Sequence, residues 1–297
     1  MYEQIARNKR RSALIFLFFL LMIFALAYAF GALTGMGTGG LVFAALIAGG
    51  LSFLSYWKSD SVVLAISRAK PATKEEYPHL VNVVEGLAIA AGIPAPRCYV
   101  IDDTAPNAFA TGRDPAHAVI CVTTGLLQKM NRAELEGVVA HEMSHIRNFD
   151  IRVMTLAVVM VGIIALLSDW IMRSLWGGGR RRSGGRGKGG DIGAVLVVVG
   201  IFFAIFGPLI AQLLRMAVSR RREYLADASA ALLTRYPPGL ASALRKIADD
   251  REPLEAANKA TAHLYIVNPL KDLKGAVNKL FSTHPPIEER IAALEKM

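Results

Sequence analysis

No charged residue occurs between Ser12 and Trp57. That run is too long for one helix crossing a hydrocarbon core of about 30 Å, and it suits two helices of about 20 residues. Apolar residues from Ala13 to about Phe30 make the first, and Leu41 to Trp57 the second. The glycine-rich stretch Gly31 to Gly40 turns between them, and Tyr56 and Trp57 suit an interface belt. Arg7, Lys9, Arg10 and Arg11 precede the hairpin, and Lys58, Arg68, Lys70 and Lys74 follow it. Positive charge at both ends and none in the turn places both ends in the cytoplasm. Residues 58–150 are then cytoplasmic. Ala25-Leu26-Ala27 after a basic start is also a signal-peptide feature, but the length of the run and the second apolar stretch favour a retained anchor. Composition agrees with a membrane protein: 53% of residues are hydrophobic and the mean hydropathy is +0.38.

A second pair of apolar segments runs uncharged from Val153 to Ser168 and from Ile192 to Leu214. Between them lies a glycine-rich loop with Arg180, Arg181, Arg182, Arg186 and Lys188. The first is only 16 residues long and the second 23, so length favours crossing at least for the second; two crossings would carry this loop outside the cytoplasm. Its charge favours a hairpin lying in the cytoplasmic leaflet. Two crossings are the expectation, because both flanks must return to one side if they share a site. Gly/Arg tracts also bind RNA phosphates, but this one has no interleaved aromatic and sits between membrane segments. Contact with anionic lipid is therefore expected rather than nucleic acid, and the net charge of +10 agrees.

The chemistry begins at His141-Glu142-Met143-Ser144-His145. Histidines four apart share one helix face, about 40° apart around the axis, so both imidazoles can grip one metal ion. The glutamate after the first can reach a water on that metal. Asn131 can cap this helix, with Glu134 completing a capping box. Leu135, Val139, Met143 and Ile146 would face a core, and Gly137, His141 and His145 the other side. Gly137 would clear space beside a metal or permit close helix packing. A catalytic zinc site needs a third protein ligand. Glu223 and Asp227, four apart on a probable helix, are the candidates: one carboxylate to bind metal, the other to accept from a histidine ligand. An exposed helix with Arg-Glu pairs is the alternative on spacing alone.

His141-Glu142-Met143-Ser144-His145 followed by Arg222-Glu223-Tyr224 and Asp227 resembles the HtpX-type gluzincin metallopeptidases, membrane-bound relatives of the type I CAAX prenyl protease. Asn107-Ala108-Phe109-Ala110-Thr111-Gly112 and His284-Pro285-Pro286 with Arg290 resemble further family segments in the expected order. The resemblance implies one Zn2+ per chain, held by His141, His145 and Glu223, with Glu142 as general base. It implies that Asp227 orients a histidine, more so His141, and that Asn107 and Ala108 bind substrate backbone. His284 and Arg290 would stabilise the transition state or order the site.

The expected fold class is α+β, mainly helical: an integral membrane protein with two hydrophobic hairpins and a gluzincin-like peptidase domain. The hairpins would span 1–57 and 151–214, and the peptidase domain would be built from 58–150 and 215–297. Strands are expected at Arg97 to Ile101, Asn107 to Thr111 and Ala118 to Thr123, and helices at Leu80 to Ala91, 220–235, 239–249 and 285–295. Cys98 and Cys121 read as reduced core residues of a cytoplasmic domain. His79, His117 and His263 have no partner motif. The function implied is a zinc-dependent endopeptidase in a bacterial or archaeal plasma membrane, multi-pass, cutting unfolded or damaged membrane proteins at the cytoplasmic face under stress. Substrate would pair as a strand with the Asn107–Ala108 segment, reading mainly backbone. A prenyl-protein protease would need more spans to build its chamber, and a non-catalytic zinc scaffold would have no need of Glu142.

Overall fold

The structure, a computed structural model, describes residues 2–33, scattered positions between 42 and 57, and 58–159, 220–256, 261–267, 269 and 285–297. Helix α1 (Tyr2–Leu33) carries the basic start and the first apolar stretch. Several of its side chains, at 23, 26, 27 and 29–33, are outside the described set. Among the described residues no helix is long and apolar enough to cross a membrane. Most of the second arm of the first hairpin, nearly all of the second hairpin and its basic loop fall outside the described residues.

A four-stranded sheet anchors the rest. After α2 (Ser59–Ile66) come β1 (Lys70–Pro71), α3 (Pro78–Ala91), β2 (Arg97–Ile101), β3 (Ala108–Thr111) and β4 (Val119–Thr123), with sheet order β1-β2-β4-β3. β2 runs parallel to β4, and β3 runs antiparallel to it with Ala108 opposite Val122. Helix α3 stops where Gly92 takes φ +68°, a left-handed cap that glycine adopts without Cβ strain. Thr123 ends β4 and caps α4 (Thr124–Lys129) by accepting from the Leu126 N–H at 3.1 Å.

Alternation along the strands builds two cores. Cys98, Val100, Ala108, Ala110, Ile120 and Val122 face α3 and α5 (Arg132–Arg147). Ile101, Phe109 and Cys121 face Val63, Met154, Leu254 and Tyr265. The two cysteines lie on adjacent strands but on opposite faces, so they cannot be bridged, and both are free thiols.

Helix α5 begins at the Asn131–Glu134 capping box, with both reciprocal hydrogen bonds present. The sequence places its core on one side. The structure buries it all round, from Glu134 to Ile146 with Glu136 the exception. It is the central rod, in contact with α3, β3, α6 (Arg220–Thr234) and α7 (Pro237–Asp249). A Cβ at Gly137 would stand 2.7 Å from the Leu240 backbone nitrogen, and one at Gly239 would stand 2.6 Å from the Ala133 carbonyl. Gly137 therefore serves backbone-close packing of α5 on α7. Helix α8 (Ile287–Leu294) closes over α7 and α6.

Candidate metal centre

His141 and His145 stand one turn apart on α5 with their Nε2 atoms 3.2 Å from each other. Glu223, carried by α6, brings Oε2 to 3.6 Å from His141 Nε2 and Oε1 to 3.6 Å from His145 Nε2. The three ligand atoms lie within 4.8 Å of one another and all three residues are buried. Each imidazole has a carboxylate at its back: Asp227 Oδ1 at 2.9 Å from His141 Nδ1, and Asp150 Oδ2 at 3.2 Å from His145 Nδ1. A proton on each Nδ1, donated to its carboxylate, leaves both Nε2 lone pairs and a carboxylate converging on one buried point. Three acceptors so close repel unless a cation lies between them, and two imidazoles with one carboxylate are a donor set that suits zinc with a position left open. The residues present fit the metal.

The titrations agree with a site built for positive charge. Burial alone would lower His141, but Asp227 and Glu223 outweigh it and raise its pKa to about 9. A proton held there is what a metal displaces on binding. Burial likewise opposes ionisation of Asp227, yet the Arg290 guanidinium and His141 hold its carboxyl below the ordinary value. Glu142 is pushed upward, chiefly by burial, which makes it a stronger base than an exposed carboxylate; the Ala110 N–H donates to it.

Arg290, fully buried on α8, holds Asp227 in a fork, Nε to Oδ2 at 2.8 Å and Nη2 to Oδ1 at 2.7 Å. Its Nη1 donates to the Ile266 carbonyl at 2.9 Å. It thus lies against Asp227 and His141, with Nη1 also 3.9 Å from Glu223 Oε2. His284 lies outside the described residues.

Asn107 and Ala108 are already engaged by the chain itself. The Ile266 N–H donates to the Ala108 carbonyl at 2.9 Å, and Asn107 Nδ2 donates to the Val267 carbonyl at 3.0 Å. The Ala108 N–H is taken by Asn107 Oδ1 at 3.0 Å. Residues 264–267 thus lie along the outer edge of β3, anchored by Tyr265, whose ring meets Phe109 edge-on at 5.0 Å. Sequence reasoning missed this segment, and it missed Asp150. The one available signal for Asp150 was an acidic residue just past the end of the helix that carries His141 and His145.

Residues 74–297 match peptidase family M48. The chain belongs to that family. Its curated relatives include a protease HtpX homolog of Dictyoglomus turgidum, 51% identical over 296 residues, covering all of this chain and 94% of the relative. Another, from Ligilactobacillus salivarius, is 44% identical with both chains fully covered. The chain is thus an HtpX-type M48 peptidase, a hydrolase by family. The crystal structure of S. mikatae Ste24p superimposes with a TM-score of 0.51 at 18% identity, covering 99% of this chain and 67% of that one, a likeness of fold.

Proposed function

We propose that this chain is a zinc-dependent, membrane-bound endopeptidase that cuts unfolded or damaged membrane proteins at the cytoplasmic face. The observation that carries this reading is the convergence of His141, His145 and Glu223 within 4.8 Å, with Glu142 next to the first ligand in sequence. A bound zinc would polarise a scissile carbonyl and make water a better nucleophile at neutral pH. Glu142 takes the proton of the attacking water and returns it to the leaving amine. Asp227 and Arg290 hold His141 in one tautomer, and Asp150 does the same for His145. Burial of the whole constellation strengthens each of these charge interactions. The apolar stretch in α1 and the flanking basic residues support a membrane setting. They also support substrates that present extended, apolar segments near the bilayer.

The test is cleavage of an unfolded substrate by the full chain in detergent, with zinc supplied and withdrawn. The expected result is zinc-dependent cutting by the wild type and none by Glu142→Gln, which keeps its zinc because Glu142 is not a ligand. Rapid cutting by Glu142→Gln would refute this assignment of the base. Rapid cutting by a zinc-stripped wild type would refute the metal's role.

A further inference from the structure

Asp150 is a buried carboxylate, 2% exposed, on neither of the two helices that supply the ligands. Its Oδ2 meets His145 Nδ1, the rear of the imidazole whose Nε2 faces the metal position. Its other oxygen, Oδ1, accepts from Asn8 Nδ2 at 2.8 Å and from Arg222 Nη1 at 3.0 Å. A carboxylate with one oxygen on the imidazole and the other gripped by two donors cannot swing away, so its direction fixes that of the His145 ring.

The turn that presents Asp150 is unusual. Phe149 takes φ +59°, a left-handed conformation that a bulky side chain adopts only when its surroundings impose it. Those surroundings come from α1. Asn8 Nδ2 also donates to the Asn148 carbonyl at 2.8 Å, and Lys9 Nζ sits 4.6 Å from the centre of the Phe149 ring. Asn8 itself is 3% exposed. Two consecutive residues of the N-terminal helix thus clasp 148–150.

We propose that Asp150 is a positioning residue for His145 and that Asn8 holds it there, so that the seating of α1 sets how tightly the centre takes zinc. This rests on the zinc reading above. The N-terminal helix then does more than anchor the enzyme: it supplies the donor that completes the support of a ligand 137 residues downstream in the sequence.

The experiment uses the full chain in detergent and reads zinc affinity by competition with a chromophoric chelator. The visible spectrum of the Co2+-loaded protein provides a second readout of ligand geometry. Asp150→Ala is expected to weaken zinc by about 10–100-fold and to shift the Co2+ bands. Asn8→Ala is expected to weaken zinc by about 3–10-fold, because the Arg222 contact remains. The double variant should be no weaker than Asp150→Ala alone, since Asn8 acts through Asp150. Should Asp150→Ala fail to fold, Asp150→Asn and Asn8→Ala decide the matter, and both must weaken zinc. Wild-type affinity and an unchanged Co2+ spectrum in Asn8→Ala would overturn the role of α1. The same result in a folded Asp150 variant would overturn the positioning role. A wild-type chain that takes up no zinc would overturn the zinc reading, and this inference with it.

Discussion

Replacing Glu134 should loosen the seam between α5 and α7, and the size of the effect can be worked out bond by bond. The side chain is 3% exposed. Its Oε2 accepts from the Asn131 N–H at 2.8 Å and Lys246 Nζ at 2.7 Å, and its Oε1 accepts from Ser242 Oγ at 2.6 Å. Loss of one half of a capping box costs about 1 kcal/mol. A hydroxyl bonded to a carboxylate contributes about 1.5 kcal/mol. Lys246 is 43% exposed, so that pair is held to about 0.5 kcal/mol. Glu134→Ala should therefore destabilise by roughly 2–4 kcal/mol. Glu134→Gln can keep its hydrogen bonds by turning its amide toward Ser242, and should lose about 1 kcal/mol. The pH dependence separates charge from shape. Burial would raise the Glu134 pKa, but Lys246, Ser242 and the Asn131 N–H outweigh it and hold it low. A depressed carboxyl pKa contributes stability above the unfolded value of about 4.3, and that stability is lost as pH falls through the folded value. The gap between wild type and Glu134→Gln should thus be full at pH 7 and close in acid. Urea unfolding of the detergent-solubilised chain, followed by far-ultraviolet circular dichroism, measures it. A gap that stays constant from pH 7 down to pH 3, or a Glu134→Ala midpoint equal to wild type, would refute the reasoning.

Glu223→Ala should lower zinc content outright, whereas Asp227→Ala should leave a site weakened by about 10–100-fold; metal analysis and chelator competition distinguish the two. Arg290→Lys replaces a fork on Asp227 with a point charge that cannot also reach the Ile266 carbonyl, so stability should fall by about 2 kcal/mol and turnover with it, read by unfolding and by single-turnover cleavage. Gly125→Ala would drive a Cβ into the Thr104 carbonyl, and should destabilise by about 1–3 kcal/mol without changing zinc affinity in whatever fraction folds.

Much of the centre is legible in the sequence because its information is local. The His141–His145 spacing, the Asn131–Glu134 box and the pair Glu223 and Asp227 each need only one helix to be read. Strands β2, β3 and β4 are legible for the same reason, as short apolar runs bounded by turns, whereas the two-residue β1 carries no such signal. What the sequence conceals depends on chain reversals and distant partners. Asp150 reaches His145 only because Phe149 adopts a left-handed backbone, which nothing in a phenylalanine announces. Asn8 lies beyond any periodicity that could tie it to Asp150. The all-round burial of α5 is masked because histidine and glutamate count as polar in a hydrophobic pattern, although here His141, Glu142 and His145 are all buried. Glu134 was visible as a capping residue, but its reach to Ser242 and Lys246 belongs to the α5–α7 packing. Nothing in the apolar residues 264–267 ties them to β3 until their hydrogen bonds to Asn107 and Ala108 are seen.

That short segment bears on how the chain avoids itself. A strand edge left bare is a template on which any extended peptide, including another copy of the same protein, can crystallise into sheet. Here the outward carbonyl of Ala108 is already occupied by the Ile266 N–H. A newcomer gains at that position only the difference between its own hydrogen bond and the one it displaces, a margin of about 1 kcal/mol or less. Casual encounters between neighbouring molecules therefore find little to hold at that position. Exchange at that edge must also part the Tyr265 ring from Phe109, so a short peptide has little reason to stay.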